Sequence, residues 1–164
     1  VKMALTYLLT VRGIPQLYYG SEVLLDNDSA PGDHGVIRGD MPGGWPGDKV
    51  NAFTGVGLSD DQREVQDHLK MLLNWRKQTP VIATGKTLHF GPRKGVYVFG
   101  RYNLSDRVVV IMNKNAEEVC VSVTDYAELL GDWKEARVIG TGEKVRFAGG
   151  IKVAGMSALV LEVE

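Results

Sequence analysis

The groups best suited to chemistry in this sequence lie in one short stretch, Arg38-Gly39-Asp40-Met41-Pro42-Gly43-Gly44-Trp45-Pro46-Gly47-Asp48. It sets a guanidinium, two carboxylates and an indole on a backbone of turn residues. The hydroxyls of a pyranose take charged, bidentate partners, and the apolar C–H face of its ring stacks on an aromatic, here Trp45. The chemistry these residues offer is therefore sugar binding. The plainer reading is an ordered loop whose Trp45 staples it to its own domain, and residue types alone leave both open.

Other chemistries find less support. Asp26, Asn27, Asp28 and Asp33 carry the oxygen ligands that calcium takes, but Ile37 stands where a calcium loop needs its closing glutamate, so no metal ligand set is assigned. His34, His68 and His89 are scattered over a loop, a helix and a strand without ligand spacing. The segment Ala83-Thr84-Gly85-Lys86-Thr87 looks like the tail of a phosphate-binding loop, yet Pro80 occupies the place of that motif's first glycine. Gly140-Thr141-Gly142-Glu143-Lys144 falls between strand-like segments and reads as a hairpin turn. No serine sits in a Gly-x-Ser-x-Gly elbow, and Cys120 has no signature of an activated nucleophile.

Composition narrows the partners further. With 19 Lys+Arg against 20 Asp+Glu the formal charge is −1, which gives no global attraction to nucleic acid or to an anionic membrane. The longest apolar runs reach about seven residues against the roughly 20 of a bilayer-spanning helix, so no membrane insertion is expected. No signal-peptide pattern opens the chain. The single cysteine cannot form an internal disulfide, and its segment Val119-Cys120-Val121-Ser122-Val123 predicts a buried thiol inside a strand.

The elements that must position the loop differ on its two sides. Residues 1–12 read as a helix apolar around most of its circumference, with Gly13 as its cap, and 14–19 read as a strand that Gly20 ends. From 23 to 60 the chain holds eight of its 20 glycines, three of its six prolines and six aspartates with little periodicity, which predicts a long loop of the functional kind. A helix over 60–78 follows, opened by a Ser59/Gln62 capping box and closed before Pro80. After Pro80 come short alternating segments at 86–90, 96–102, 107–112, 118–124, 135–139, 143–147 and 157–163, with a helical turn over 125–130. Seven or eight such strands predict an antiparallel sandwich with Greek-key connections.

The stretch Arg12-Gly13-Ile14-Pro15-Gln16-Leu17-Tyr18-Tyr19-Gly20-Ser21-Glu22 resembles the eighth barrel strand of the α-amylase family of glycoside hydrolases. The loop at 38–48, with Asn51-Ala52-Phe53-Thr54 and Leu73-Asn74-Trp75-Arg76-Lys77, is similar to the neopullulanase and cyclomaltodextrinase-type members of starch-utilisation systems. The resemblance covers essentially the whole chain. It implies a mainly β protein. Residues 1–79 would be the last helix–strand–helix remnant of a (β/α)8 barrel, with helix 1–12, strand 14–19, substrate loop 23–60 and helix 60–78. Residues 80–164 would be the C-terminal Greek-key β-sandwich.

The same resemblance places the family's catalytic carboxylates on barrel strands upstream of Val1, so no catalytic residue is assigned within these 164 residues. Loops at the C-terminal ends of barrel strands face the catalytic side, which makes the 23–60 loop a substrate wall. Arg38, with Met41 three positions later, looks like the family's Arg-x-x-Met element, whose arginine contacts sugar hydroxyls. Asp33 and Asp28 are equal candidates for its partner, and Trp45 is the candidate stacking surface. The implied whole enzyme hydrolyses α-1,4 and, in some members, α-1,6 glucosidic bonds by a retaining mechanism. The implied partner is an α-glucan or maltooligosaccharide. The chain itself is expected to be inactive and without cofactor, calcium remaining open for the whole enzyme. The resemblance suggests a periplasmic or extracellular enzyme, and the residues themselves assign no compartment. The rival reading is a non-catalytic β-sandwich that binds carbohydrate or associates with itself through an uncovered barrel remnant. Because two barrel helices and one strand lack the neighbours that would bury them, residues 1–60 are expected to be buried in a dimer, partly disordered or folded unlike the family.

Overall fold

A computed structural model of the chain describes residues 1–26, Gly32, Gly35 and 38–163. Its contacts divide into two units: Val1–Pro15 with Met71–Glu164, and Gln16–Lys70. The change of texture at residue 80 does not coincide with that division, because residues well before Pro80 pack into the β unit.

In the larger unit, helix α1 spans Lys2–Thr10 and buries Leu5, Thr6, Leu9 and Thr10. The two buried threonines turn their hydroxyls back on the helix, Thr6 donating to the Lys2 carbonyl at 2.9 Å and Thr10 to the Thr6 carbonyl at 2.6 Å. No buried hydroxyl is thereby wasted. The helix stops at Val11, which is extended (φ −70°, ψ 164°), and not at the expected Gly13. The strand expected over 14–19 is absent: no strand runs there, and Ile14 is 97% exposed. A strand needs a hydrogen-bonded neighbour, and among the described residues none pairs with this segment.

Helix α2, Asp60–Gln78, matches its expected bounds. The backbone N–H of Ser59 donates to Gln62 Oε1 at 2.9 Å while the Gln62 N–H donates to Ser59 Oγ at 3.3 Å, a reciprocal capping box. Asp60 and Asp61 stand in the first turn and Arg76 and Lys77 in the last, each with the favourable sign for the helix dipole. Val65, Leu69 and Leu72 recur at helical spacing and are buried to 5%, 3% and 1% exposure. Ser59→Ala is expected to cost about 1 kcal/mol, the usual worth of such a cap. Urea unfolding of the chain checks it, and a cost near zero would mean the box adds nothing to the helix.

A short helix that the sequence did not suggest, α3 (Val81–Thr84), follows Pro80. Strands β1 (Lys86–His89), β2 (Val96–Tyr102), β3 (Arg107–Asn113), β4 (Val119–Val121), β5 (Glu135–Val138), β6 (Lys144–Arg146), β7 (Ile151–Val153) and β8 (Ser157–Val163) complete the unit. Helix α4 (Ala127–Leu130) stands before β5, with a 3-10 turn at Val123–Tyr126 where strand 118–124 was expected to continue. β7 was not expected, since three residues between glycines carry too little alternation to read. All pairings are antiparallel, in a six-stranded sheet ordered β1-β2-β3-β8-β5-β6 and a two-stranded sheet of β4 and β7.

The larger sheet is covered on both faces. Val109, Ile111, Val98 and Leu161 enter one core with Val121, Ile151 and Leu129, whereas the alternate residues Val108, Val110, Phe99 and Val160 enter a second with Val81, Ile82, Val11 and Trp75. Each large apolar side chain taken fully out of water contributes about 1.5–3 kcal/mol, so the run Val108-Val109-Val110-Ile111 is stabilised from both sides. Tyr7 of α1 meets Phe99 edge-on at 5.7 Å and Tyr97 at 6.3 Å. This packing buries the inner side of α1.

Cys120 is exposed, correcting the expected core thiol. Side chains alternate along a strand, and Val121 takes the buried phase, which leaves Cys120 on the outer one.

Candidate functional site

The smaller unit holds the loop with the sugar-type groups. Its order comes from a few apolar side chains and a dense set of turns. Val23, Ala52 and Leu58 form a small core, against which Met41 and Val50 pack. Asn51 organises one end: its Oδ1 accepts from the backbone N–H groups of Phe53 and Thr54 at 2.9 Å each, and its own N–H donates to the Val56 carbonyl at 2.8 Å. Ala52 N–H donates to the Pro42 carbonyl at 3.0 Å, and Gln66 of α2 donates from Nε2 to the Ala52 carbonyl at 2.8 Å. Gly43 has φ +91°, and a Cβ there would lie 2.5 Å from Asn51 Cγ, so only glycine suits this crossing.

Trp45 is held at its backbone and free at its ring. Asp48 Oδ2 accepts from the N–H groups of Gly43 at 2.8 Å and Trp45 at 3.2 Å, closing a turn that leaves the Trp45 side chain 64% exposed. That exposure argues against a staple. The indole is left on the surface of a well-bonded turn.

Arg38 belongs to a second group. It is exposed, its N–H donates to the Gly35 carbonyl at 3.2 Å, and the next carbonyl, that of Gly39, accepts from the Tyr19 hydroxyl at 3.0 Å. Tyr19 and Tyr18 lie with ring centroids 4.7 Å apart. Partial desolvation, the adjoining Tyr18 phenol and the Asp40 carboxylate raise the Tyr19 hydroxyl above the ordinary tyrosine value, while the Arg38 guanidinium opposes them. Tyr19 therefore stays a neutral donor at neutral pH, and its bond ties the Arg38–Asp40 backbone to the 3-10 turn at Ser21–Val23. The sequence had marked Tyr19 as the close of a strand. Its part as a tether was hidden, because only the fold brings residues 19 and 39 together.

Of the residues expected to bind sugar, Arg38 and Trp45 stand on this unit, and Asp28 and Asp33 lie outside the described residues. Among the described residues, no group of three or more His, Cys, Asp or Glu side chains is gathered as for a metal. No helix among them is long and apolar enough to cross a membrane.

The chain combines an antiparallel β domain with an ordered loop that carries arginine, tyrosine and tryptophan. Residues 87–162 match the family described as the cyclo-malto-dextrinase C-terminal domain. A cyclomaltodextrin glucanotransferase of Klebsiella oxytoca is 27% identical over 138 residues, covering 80% of this chain and 20% of its own. A maltogenic alpha-amylase of Bacillus acidopullulyticus is 26% identical over 123 residues, covering 73% and 18%. Among solved structures, AmyP in complex with maltose aligns with a TM-score of 0.68 at 19% identity over 98% of this chain and 33% of that one. The α-amylase of Geobacillus thermoleovorans, complexed with acarbose, aligns with a TM-score of 0.64 at 21% identity over 99% and 32%.

The chain is similar in fold to the C-terminal portion of α-amylase structures. It spans about a fifth of the length of these relatives and about a third of these solved structures. The likeness in fold takes in nearly all of the chain, and α1 packs on the β unit.

Proposed function

We propose that this chain is the C-terminal part of an enzyme that cleaves α-1,4 glucosidic bonds of α-glucans with retention, α-1,6 bonds and cyclodextrins being further substrates to assay. The proposal leaves the nucleophile and the acid/base carboxyl to the part of that enzyme preceding this chain, since a retaining site needs two carboxyl groups about 5–5.5 Å apart across the bond. The 164 residues alone are then inactive, supply substrate contacts, and need no cofactor for that role. The observation that carries this reading is the Arg38 loop tethered through Tyr19, beside a turn that exposes Trp45. Names and ligands of the relatives support it, as does the family match of the β domain.

Release of reducing ends from soluble starch, pullulan and cyclodextrin, by the full-length enzyme and by this chain, tests the proposal. Activity in the former and silence in the latter are expected. In the full-length enzyme Arg38→Ala should lower kcat/KM about 10- to 100-fold, the loss of a charged hydrogen bond to a sugar hydroxyl worth about 1.5–3 kcal/mol. Trp45→Ala should act chiefly on KM, because ring stacking binds ground and transition states alike. An Arg38→Ala enzyme with unchanged kinetics would remove that residue from the substrate wall. The exposed Trp45 also favours a second reading, a glucan-binding module without catalysis, which predicts sugar binding by the chain and no hydrolysis by any longer form.

A further inference from the structure

The β unit contains a cleft of about 590 Å³ that the preceding reading does not use. Its size falls among ordinary small-ligand sites, roughly 300–1,000 Å³. One rim is a two-residue hairpin. Arg93 and Val96 exchange both backbone hydrogen bonds at 2.9 Å, and the central residues Lys94 and Gly95 sit at φ +48° and +79°, as the tight primed turn requires. Asn115 donates from Nδ2 to the Lys94 carbonyl at 2.9 Å and holds this strained corner in place. The rim thus carries two cations on a fixed backbone.

The opposite wall comes from the chain around the 3-10 turn at Val123–Tyr126. It brings Ser122, the carboxylate of Asp125 and the ring of Tyr126, which Phe90 locks edge-on at 4.9 Å and 89°. Between the rims the floor is apolar, with Val96 and Val121. Cys120 stands at the edge of the cleft with an exposed thiol that donates to the Gly149 carbonyl at 3.4 Å.

This lining suits one kind of occupant. A site for an anion would present donors alone, whereas here Arg93 and Lys94 donate, Asp125 accepts and Ser122 can do both. Sugar hydroxyls need that mixture, since each one donates and accepts. The apolar floor and a rigid tyrosine ring fit the C–H face of a pyranose. We propose that this cleft between the Arg93–Val96 hairpin and Tyr126 binds a stretch of α-glucan, as a second contact on the β unit. The choice of α-glucan among sugars rests on the function proposed above.

Cys120 is the only cysteine in the chain, so alkylation is read at a single thiol on the edge of the cleft. The experiment measures the rate of Cys120 modification by iodoacetamide in the 164-residue chain, with and without maltoheptaose, by mass spectrometry. At maltoheptaose about ten times its Kd, modification should slow about tenfold. Tyr126→Ala or Asp125→Asn should abolish the protection, two variants being used so that a misfolded one is not decisive. Trp45→Ala should retain it. A rate unchanged by maltoheptaose overturns the proposal. So does protection by inorganic phosphate without protection by maltoheptaose, and so does protection lost in Trp45→Ala but kept in both cleft variants. Failure of the full-length enzyme on starch is a separate result: it sinks the enzyme reading, whereas an unprotected thiol beside an active enzyme sinks only the cleft.

Discussion

Arg101→Met should destabilise the chain by about 3–4 kcal/mol, the largest effect expected of a single side chain here. Arg101 is 1% exposed on β2, next to the edge strand of the six-stranded sheet, opposite Thr87 on β1 and Val108 on β3. A buried guanidinium survives only if its N–H groups find acceptors. Nε donates to the Ile82 carbonyl at 3.0 Å, one terminal nitrogen to the Ala83 carbonyl at 3.5 Å and the other to the Thr87 hydroxyl. These carbonyls belong to α3, whose four residues cannot satisfy their own last C=O groups. Arg101 is in effect the cap of that helix, delivered from the neighbouring sheet.

Desolvation first, and the guanidinium groups of Arg12 and Arg76 after it, lower the Arg101 pKa from the ordinary arginine value. Methionine would fill much of the volume while leaving two carbonyls and a hydroxyl without a donor, at about 1–3 kcal/mol for each buried group left unmatched. Lysine keeps the charge but not the planar fork, so Arg101→Lys should fall between the two, near 2 kcal/mol. Urea unfolding of the three chains, followed by circular dichroism, gives the ranking. A methionine variant within about 1 kcal/mol of the parent chain would show that water, and not Arg101, satisfies α3.

Glu162→Ala should cost about 2–3 kcal/mol, through the junction of α2 and β8. Glu162 Oε1 accepts the Trp75 indole N–H at 2.6 Å and the Thr79 hydroxyl at 3.2 Å, while its other oxygen pairs with Arg137 on β5. The Arg137 side chain is 47% exposed, so the ion pair contributes little. Most of the effect lies with the indole N–H, which loses its acceptor when the carboxylate is removed. Glu162→Gln retains an acceptor oxygen and should cost only about 1 kcal/mol. In a double-mutant cycle with Trp75→Phe, the two changes should couple by about 1–2 kcal/mol. Additive costs would mean that the hydrogen bond has no energetic part in fastening α2 to the sheet.

These two residues illustrate what was legible beforehand and what was not. Nothing in Phe99-Gly100-Arg101-Tyr102 distinguishes Arg101 from a solvated charge on a strand. Its burial follows from α3, which packs on that face of the sheet and was itself unexpected. Glu162 likewise sits at an alternating position of β8 that reads as outward-facing, and is half-covered only because α2 returns across the sheet. Cys120 shows the converse. Its phase relative to Val121 was present in the sequence, and the outward side followed from alternation once Val121 was the buried partner.

The candidate site divides in the same manner. Trp45 and Arg38 were recognisable as sugar-binding types from the chain alone, whereas Asp48, read there as one of the loop's carboxylates, closes the turn under Trp45. That Tyr19 holds the Arg38 loop through Gly39 depends on an approach across 20 residues of chain, whereas Asn51 closes its turn on residues two and three positions away.

Local signals set the course of α2, from its Ser59/Gln62 box to Pro80, and the bounds of β2 and β8, because capping, helical spacing and alternation act between residues a few positions apart. Pairing order, the covering of both sheet faces, and the absence of a strand at 14–19 came only with the folded chain. Hydrogen bonds between strands and the burial of a charged group are properties of the neighbours a residue acquires, and a sequence carries those neighbours without saying which will meet.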